Sequence, residues 1–210
     1  MYTLYYAPGA ASFVVHWLLI DLDLPHQLHP LDVEAREHKQ PAYLALNPGG
    51  VIPTLLIDGT PVLEAAAIVM HLADVNPGAG LAPSPGSIQR AAYYQWTLYL
   101  ADTLQPTFRR WFYPGEPAGE ANAAAAKAIA RQEIESCWQR IDEHLQASGP
   151  YLLGDRPCAA DFLMTMMMRW SRNMPRPADE WTHLHAHAQR MKARPSFARV
   201  YAVEQLTDWT

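Results

Sequence analysis

The stretch from Asn47 to Asp74 leaves the chain fewer options than any other part of its sequence. Asn47-Pro48-Gly49-Gly50 is turn chemistry, residues that set or tolerate the tight backbone angles of a loop. Thr54-Leu55-Leu56-Ile57 reads as a strand. Asp58-Gly59, directly after it, is the strongest short hairpin signal, because both residues accept the positive φ of a two-residue turn. Pro61-Val62-Leu63 is then the return strand, with proline where an edge or a strand start tolerates the missing N–H. From Glu64 the period changes. Ile68, Val69, Leu72 and Val75 recur at helical spacing, so a helix follows the hairpin. A carboxylate at a helix start is favoured by the dipole, which gives Glu64 a structural role whatever else it does.

The rest of the sequence is consistent with a globular frame around this stretch. The 210 residues suffice for one large or two modest domains. Half are hydrophobic and 18% charged, ordinary values for a soluble protein. A formal charge of −5 and a pI near 6.0 argue against nucleic-acid binding, which calls for a basic face. No apolar run approaches the roughly 18 residues of a membrane span, and Met1-Tyr2-Thr3-Leu4 opens no secretory signal. The two cysteines, Cys137 and Cys158, make no disulfide framework, so a cytoplasmic protein is expected.

Taken in order, Tyr2 to Tyr6 reads as a first strand, a helix runs from about Ser12 to Asp21, and His26 to Leu31 is a second strand, parallel to the first because a helix separates them. Pro41 to Leu46 is a short helical turn before the opening stretch. The order βαβ, short α, ββα is that of a thioredoxin-like domain. Pro77 to Gly86 is a linker by composition. Beyond it the pattern is helical: Ile88 to Trp111, kinked at Pro106; Glu120 to Leu145, with Ile129, Ile134, Trp138, Ile141 and Leu145 toward the core; then Ala159 to Ser171, Asp179 to Lys192 and Ser196 to Val203. The expected fold is α/β followed by all-α, with a thioredoxin-like domain over residues 1–76, a linker over 77–87 and a helical bundle over 88–210.

This layout, and the stretch from Asn47 to Asp74 within it, resembles the glutathione S-transferase family. In that family a hydrophobic residue precedes a cis proline, here Ile52-Pro53. The resemblance implies that the backbone N–H and C=O of Ile52 pair with the cysteinyl part of glutathione. An acidic or amide residue followed by serine holds the γ-glutamyl end; here the pair is Glu64-Ala65, with the acid kept and the hydroxyl gone. Tyr5-Tyr6-Ala7-Pro8-Gly9-Ala10-Ala11-Ser12 is similar to the opening of bacterial members with a Tyr-Tyr-x-Pro-Gly-Ala-Cys-Ser pattern. Ala11 stands in place of that cysteine, and Ala10 falls where serine-type members carry their hydroxyl. Gly154 to Phe162 resembles the family's capping motif, with Cys158 at the cap and Asp161 three residues on. Arg194-Pro195-Ser196-Phe197 resembles a family turn. The resemblance implies glutathione as co-substrate, no metal, and a homodimer.

A transferase of this kind holds glutathione as a thiolate, the nucleophilic form. Lowering a thiol pKa by about 2 units from near 8.5 takes roughly 2.7 kcal/mol of preferential stabilisation, within reach of one or two hydrogen-bond donors and a helix N-terminus. Ser12, at the helix start, is the first candidate, with a plain N-cap as its other role. Tyr6 is the second. Tyr5 and Tyr6 point to opposite faces of their strand, so at most one faces a cleft. Lys39 or His38 is placed to pair with the glycyl carboxylate. A hydrophobic co-substrate pocket is expected between the domains, with Tyr99, Gln105, Phe108, Trp111 and Tyr113 as candidates, Gln105 lying near where bacterial members carry a histidine. Met164, Met166, Met167 and Met168 suit a variable ligand or an ordinary core. His183, His185 and His187 lack the companions of a metal site.

The leading function is therefore conjugation of glutathione to a hydrophobic electrophile. Glutathione-dependent peroxide reduction is a close variant, whereas maleylacetoacetate-type isomerisation is disfavoured because a Ser-Ser-Cys motif is absent. A non-catalytic carrier of glutathione or a hydrophobic ligand is the alternative class.

Overall fold

The structure, a computed structural model, describes residues 1–210. It divides into two compact units, Met1–Ala82 together with Lys192–Thr210, and Pro83–Met191.

The first unit is built on a four-stranded sheet of order β2-β1-β3-β4, with β1 at Tyr2–Tyr6, β2 at His26–Pro30, β3 at Thr54–Ile57 and β4 at Thr60–Leu63. β1 and β2 are parallel, and β1–β3 and β3–β4 antiparallel, as the helix between the first pair and the Asp58-Gly59 turn between the last require. Pro61 sits on the edge strand. Leu4 lies opposite Leu55, and both are fully buried. The helices of this unit are α1 (Phe13–Asp21), the short α2 (Pro41–Leu44) and α3 (Ala65–Val75). Every residue of α1 from Phe13 to Ile20 is buried. A helix apolar all round must be covered all round, and α1 is: β1, α3 and a C-terminal helix all contact it.

That C-terminal helix corrects the expected domain division. It spans Pro195–Glu204 (α10 in chain order) and belongs to the first unit rather than to the bundle. Its start is pinned by Arg194, whose guanidinium donates to both carboxylate oxygens of Asp21 at 3.0 and 2.7 Å, and by Ser196, which bonds the same carboxylate and accepts from the Trp17 indole at 2.9 Å. Its end is pinned by Glu204 to His16. Between those points Phe197 packs edge-on against Phe13 and Trp17, and Tyr201 edge-on against Phe13.

The second unit carries α4 (Ile88–Leu98), α5 (Gln105–Phe112), α6 (Gly115–Ala118), α7 (Ala123–Ser148), α8 (Ala159–Trp170) and α9 (Thr182–Lys192, whose last residue falls in the first unit). The run expected as one helix over Ile88–Trp111 is three pieces, because a π-helical segment at Tyr99–Leu104 joins α4 to α5. Pro106 has no N–H for the carbonyl four residues back, and the turn ahead of it widens. Ile129, placed in the core by its spacing, is 56% exposed; it lies in the early part of α7, ahead of Ile134, Trp138 and Ile141, which are fully buried. The helix expected from Asp179 is a 3-10 turn at Ala178–Glu180, then extended backbone at Trp181, then α9. Asp161 bonds back to the Cys158 N–H at 2.8 Å, as the capping motif predicts. It also accepts from Leu152 N–H at 3.0 Å and pairs with His187 Nε2 at 2.9 Å. No helix is long and apolar enough to cross a membrane.

Candidate functional site

The loop between α2 and β3 is held by a small polar core. Asn47, only 2% exposed, donates from Nδ2 to the Val51 carbonyl at 2.8 Å and to Thr54 Oγ1 at 3.2 Å, and accepts the Gly49 N–H at 3.1 Å. The buried Tyr43 hydroxyl lies 2.6 Å from the same Val51 carbonyl and 2.8 Å from Thr54 Oγ1. Gly50 has φ +56°, and a Cβ there would lie 2.9 Å from the His38 carbonyl, from Leu44 and from Lys39. The Ile52-Pro53 bond that follows is cis. Pro53 is buried, and Ile52 is half-buried with no backbone partner for its N–H or C=O. In a protein where nearly all such groups are paired, Ile52 is left open to another molecule.

The N-terminus of α3 is open in the same way. Glu64 precedes it with φ +67° and ψ +110° and no side-chain cap. A non-glycine residue in that region carries strain of order 1–3 kcal/mol, a cost found chiefly where a site dictates the backbone. Ala65 behind it is buried, and the first N–H groups of α3 have no capping side chain. Such an end attracts an anion.

The loop from β1 to α1 departs from expectation. Ser12 does not cap α1: its own backbone is helical (φ −67°, ψ −22°), whereas a side-chain cap needs an extended one. Its fully buried hydroxyl donates to the Ala7 carbonyl at 3.1 Å and accepts the Ala7 N–H at 3.2 Å. Both functions of the hydroxyl are thus used within the loop, leaving it no free donor for a thiol. Tyr6 faces α1, its ring 5.7 Å from that of His16. Burial first, and Glu204 second, raise its phenol above the ordinary value. Tyr5 lies on the opposite face against His29 and Tyr43. A cleft of about 430 Å³ opens along this loop, lined by Ala7–Ala10 on one side and Leu31–Glu34 on the other; neither Ser12 nor Tyr6 lines it. Ala11 is partly exposed, and its N–H has no acceptor in the chain.

Lys39 is exposed and donates to the Gly49 carbonyl at 3.2 Å, bracing the loop ahead of the cis proline. Burial, with Lys39 and Arg36 beside it, lowers the His38 imidazole below its usual value. Of the two candidates for the glycyl carboxylate, Lys39 is therefore the cation near pH 7.

The candidates on the helical unit do not gather on one surface. Phe108 is fully buried among Phe112, Trp138 and Trp170, a core residue rather than a pocket wall. Tyr99 is turned into its own bundle, its ring under the Arg140 guanidinium at 4.7 Å and edge-on to Trp96; burial first, then Cys137, pushes its phenol up. Trp111 is covered by Lys127 at 4.4 Å, and Gln105, half-buried, opens α5. Tyr113, 52% exposed beneath Arg109, and Phe112, 47% exposed, present free apolar surface. Met164, Met166, Met167 and Met168 are fully buried core. His183 pairs with Asp142 and His187 with Asp161, and no cluster of three or more histidine, cysteine or acidic side chains is assembled for a metal.

Sequence reasoning missed Asn47 and Tyr43 as braces and Glu204 as a partner of the β1–α1 loop. Asn47 had a signal, since asparagine often bonds backbone two residues on. Glu204 had none.

Comparison with known proteins places both units in context. Residues 1–74 match the glutathione S-transferase N-terminal domain family, and residues 101–202 the C-terminal domain family. The chain is 33% identical over 193 residues to glutathione S-transferase GST-4.5 of Xanthomonas campestris, covering 90% of this chain and 92% of that one. It is 30% identical over 163 residues to a maleylacetoacetate isomerase of Rhizobium meliloti, covering 76% of each. A glutathione transferase homolog from Sulfitobacter, solved with bound glutathione, superposes with a TM-score of 0.90 at 27% identity, over 98% of this chain and 99% of that one.

Proposed function

The chain belongs to the glutathione S-transferase family, and from that premise we propose that it binds glutathione on its first unit and transfers the thiolate to a hydrophobic electrophile. The observation that carries this reading is the unpaired backbone of Ile52 in a braced loop. In the proposed complex, Ile52 N–H and C=O pair with the cysteinyl residue, much as one strand adds to another. The γ-glutamyl carboxylate sits at the uncapped start of α3, and Glu64 takes its ammonium group. Lys39 faces the glycyl carboxylate. Ala65 offers no hydroxyl, so the γ-glutamyl end rests on backbone N–H groups and charge.

The thiol then falls at the β1–α1 loop. Ala10 and Ala11 carry neither hydroxyl nor thiol there. Stabilisation of the thiolate is assigned to the Ala11 N–H and the positive end of the α1 dipole. The electrophile enters the cleft between Ala7–Ala10 and Leu31–Glu34. Homodimer formation and a cytoplasmic location belong to the same reading.

Titration of glutathione into the protein, followed by thiolate absorbance in the ultraviolet, tests it. The expected result is thiolate at neutral pH and turnover of a chlorinated aromatic. Tight binding without thiolate refutes the enzyme and favours the second reading, a glutathione or hydrophobic-ligand carrier. The absence of a free side-chain donor in the loop favours that alternative. Turnover of a peroxide in place of the chlorinated aromatic would move the assignment to the peroxidase variant.

A further inference from the structure

One buried carboxylate reaches the β1–α1 loop from the far end of the chain. Glu204, at the last position of α10, is 3% exposed and uses both oxygens. Oε2 accepts the Gly9 N–H at 2.7 Å, and Oε1 lies 2.8 Å from His16 Nδ1. His16 is itself 1% exposed, so the carboxylate and the imidazole are buried together, while Gly9 reaches the cleft. Gly9 has φ +67°, a backbone shape that another residue would enter only with strain, and it stands two residues ahead of Ala11. The chain turns sharply there: the Ala10 N–H bonds to the Ala7 carbonyl at 3.1 Å and the Phe13 N–H to the Ala10 carbonyl at 3.0 Å, which leaves the N–H groups of Ala11 and Ser12 unused between them, and of these two residues Ala11 is the one that is partly exposed.

From this geometry we infer that Glu204 is a positioning residue for the thiol, holding Gly9 so that the Ala11 N–H stands open in place of the side chain the loop lacks. The inference rests on the proposed glutathione reading and adds to it the residue that sets the donor. Charge alone does not account for a carboxylate at this place. A negative charge near a forming thiolate opposes it, so the benefit of Glu204 lies in where it holds the loop. A hydrogen bond from a backbone N–H to an ionised carboxylate is among the stronger ones a protein makes, and α10 is itself fixed at its other end by the Arg194–Asp21 pair. The loop is therefore referenced to a helix clamped at both ends, not to its neighbours in sequence.

The chemistry of the side chain separates position from charge. Glutamine at 204 keeps an oxygen for the Gly9 N–H and offers an amide N–H to His16 Nδ1, which accepts it in the other tautomer. Alanine offers neither. Glu204→Gln, Glu204→Ala and the wild type are titrated with glutathione across pH while thiolate absorbance is followed, and binding of S-methylglutathione, which has no ionisable thiol, is measured alongside. The expected result is thiolate formation by Glu204→Gln at no higher pH than the wild type, and by Glu204→Ala at a pH higher by about one unit, a tenfold change in the ionisation constant. S-methylglutathione affinity stays within about twofold in both. If Glu204→Ala does not fold, as judged by circular dichroism, Glu204→Asp replaces it. Aspartate keeps the charge but withdraws it by one methylene, and an upward shift is expected again. A wild-type titration curve in Glu204→Ala or Glu204→Asp overturns the inference while leaving the glutathione reading intact. An equal loss of S-methylglutathione binding also overturns it. If the wild type itself forms no thiolate, the underlying reading falls, and the inference with it.

Discussion

Replacing Asn47 by alanine separates what the brace contributes to stability from what it contributes to the site. Three hydrogen bonds are lost, at 2.8, 3.2 and 3.1 Å. Two of their partners, the Val51 carbonyl and Thr54 Oγ1, keep the Tyr43 hydroxyl, while the Gly49 N–H is left without an acceptor. At about 0.5–1.5 kcal/mol for each net bond, with Tyr43 covering two positions and the exposed Gly49 N–H able to turn to water, the loss comes to about 1–2 kcal/mol. For a chain of this length that lowers Tm by roughly 2–8 °C. The same change frees the segment carrying Ile52. If its N–H and C=O hold the cysteinyl residue, two neutral hydrogen bonds worth about 1 kcal/mol each are at stake, up to about thirtyfold in the KM for glutathione. These contacts are equally strong in ground and transition states, so kcat changes little. Initial rates against glutathione at fixed electrophile, beside a thermal melt, measure both. A Tm that falls as expected with KM within about twofold of wild type would refute the assignment of Ile52 to the tripeptide.

Cys158→Ser gives α8 a better cap acceptor than a thiol and is expected to stabilise the fold by about 0.5–1 kcal/mol, seen as a Tm rise of about 2–4 °C. Burial holds the Cys158 thiol well above its usual range. The folded state therefore keeps a proton that the unfolded chain releases above about pH 8.5, so this residue's contribution to stability is present below that pH and declines as pH rises beyond it. The serine variant, melted at pH 8 and pH 10, should lose less stability over that range than the wild type, and equal losses count against the account. Ala65→Ser places a hydroxyl at the start of α3 and is expected to lower the KM for glutathione about three- to tenfold; a rise would show that the γ-glutamyl end does not lie there. Gly50→Ala forces a Cβ to within 2.9 Å of the His38 carbonyl at a positive φ. It should cost about 1–3 kcal/mol and raise the same KM, by a melt and a rate measurement in parallel.

The hairpin and the helix after it were readable because each is dictated within a few residues. Asp58-Gly59 can hardly be anything but a turn, and the change of period at Glu64 marks the helix whatever lies around it. The same local rules failed where distant chain decides. Serine before an apolar run is an N-cap by rule, yet the turn at Gly9 brings Ala7 within reach of Ser12, and the hydroxyl goes there instead. The apolar stripe of α10 announces a buried face without saying which unit covers it. Glu204 at its end reads as one more solvated acid, since nothing in its neighbourhood names partners nearly two hundred residues earlier. Among the site candidates, Ile52, Glu64 and Ala65 lie in the locally determined stretch. Phe108 and Tyr99 were judged by type alone, and aromatic character does not distinguish a pocket wall from a core.

Because α10 closes the first unit, the order in which the protein is made differs from the order in which it can be finished. A ribosome delivers the sheet, α1 and α3 first and then the whole of the helical unit, and only afterwards the helix that covers Phe13 and Trp17 and caps the Gly9 N–H. Until then the most apolar helix in the molecule has one side bare. Nascent chains stalled short of Pro195 should therefore be the ones that call on chaperones and that proteases find first, with the helical unit, complete in sequence by then, the more resistant of the two.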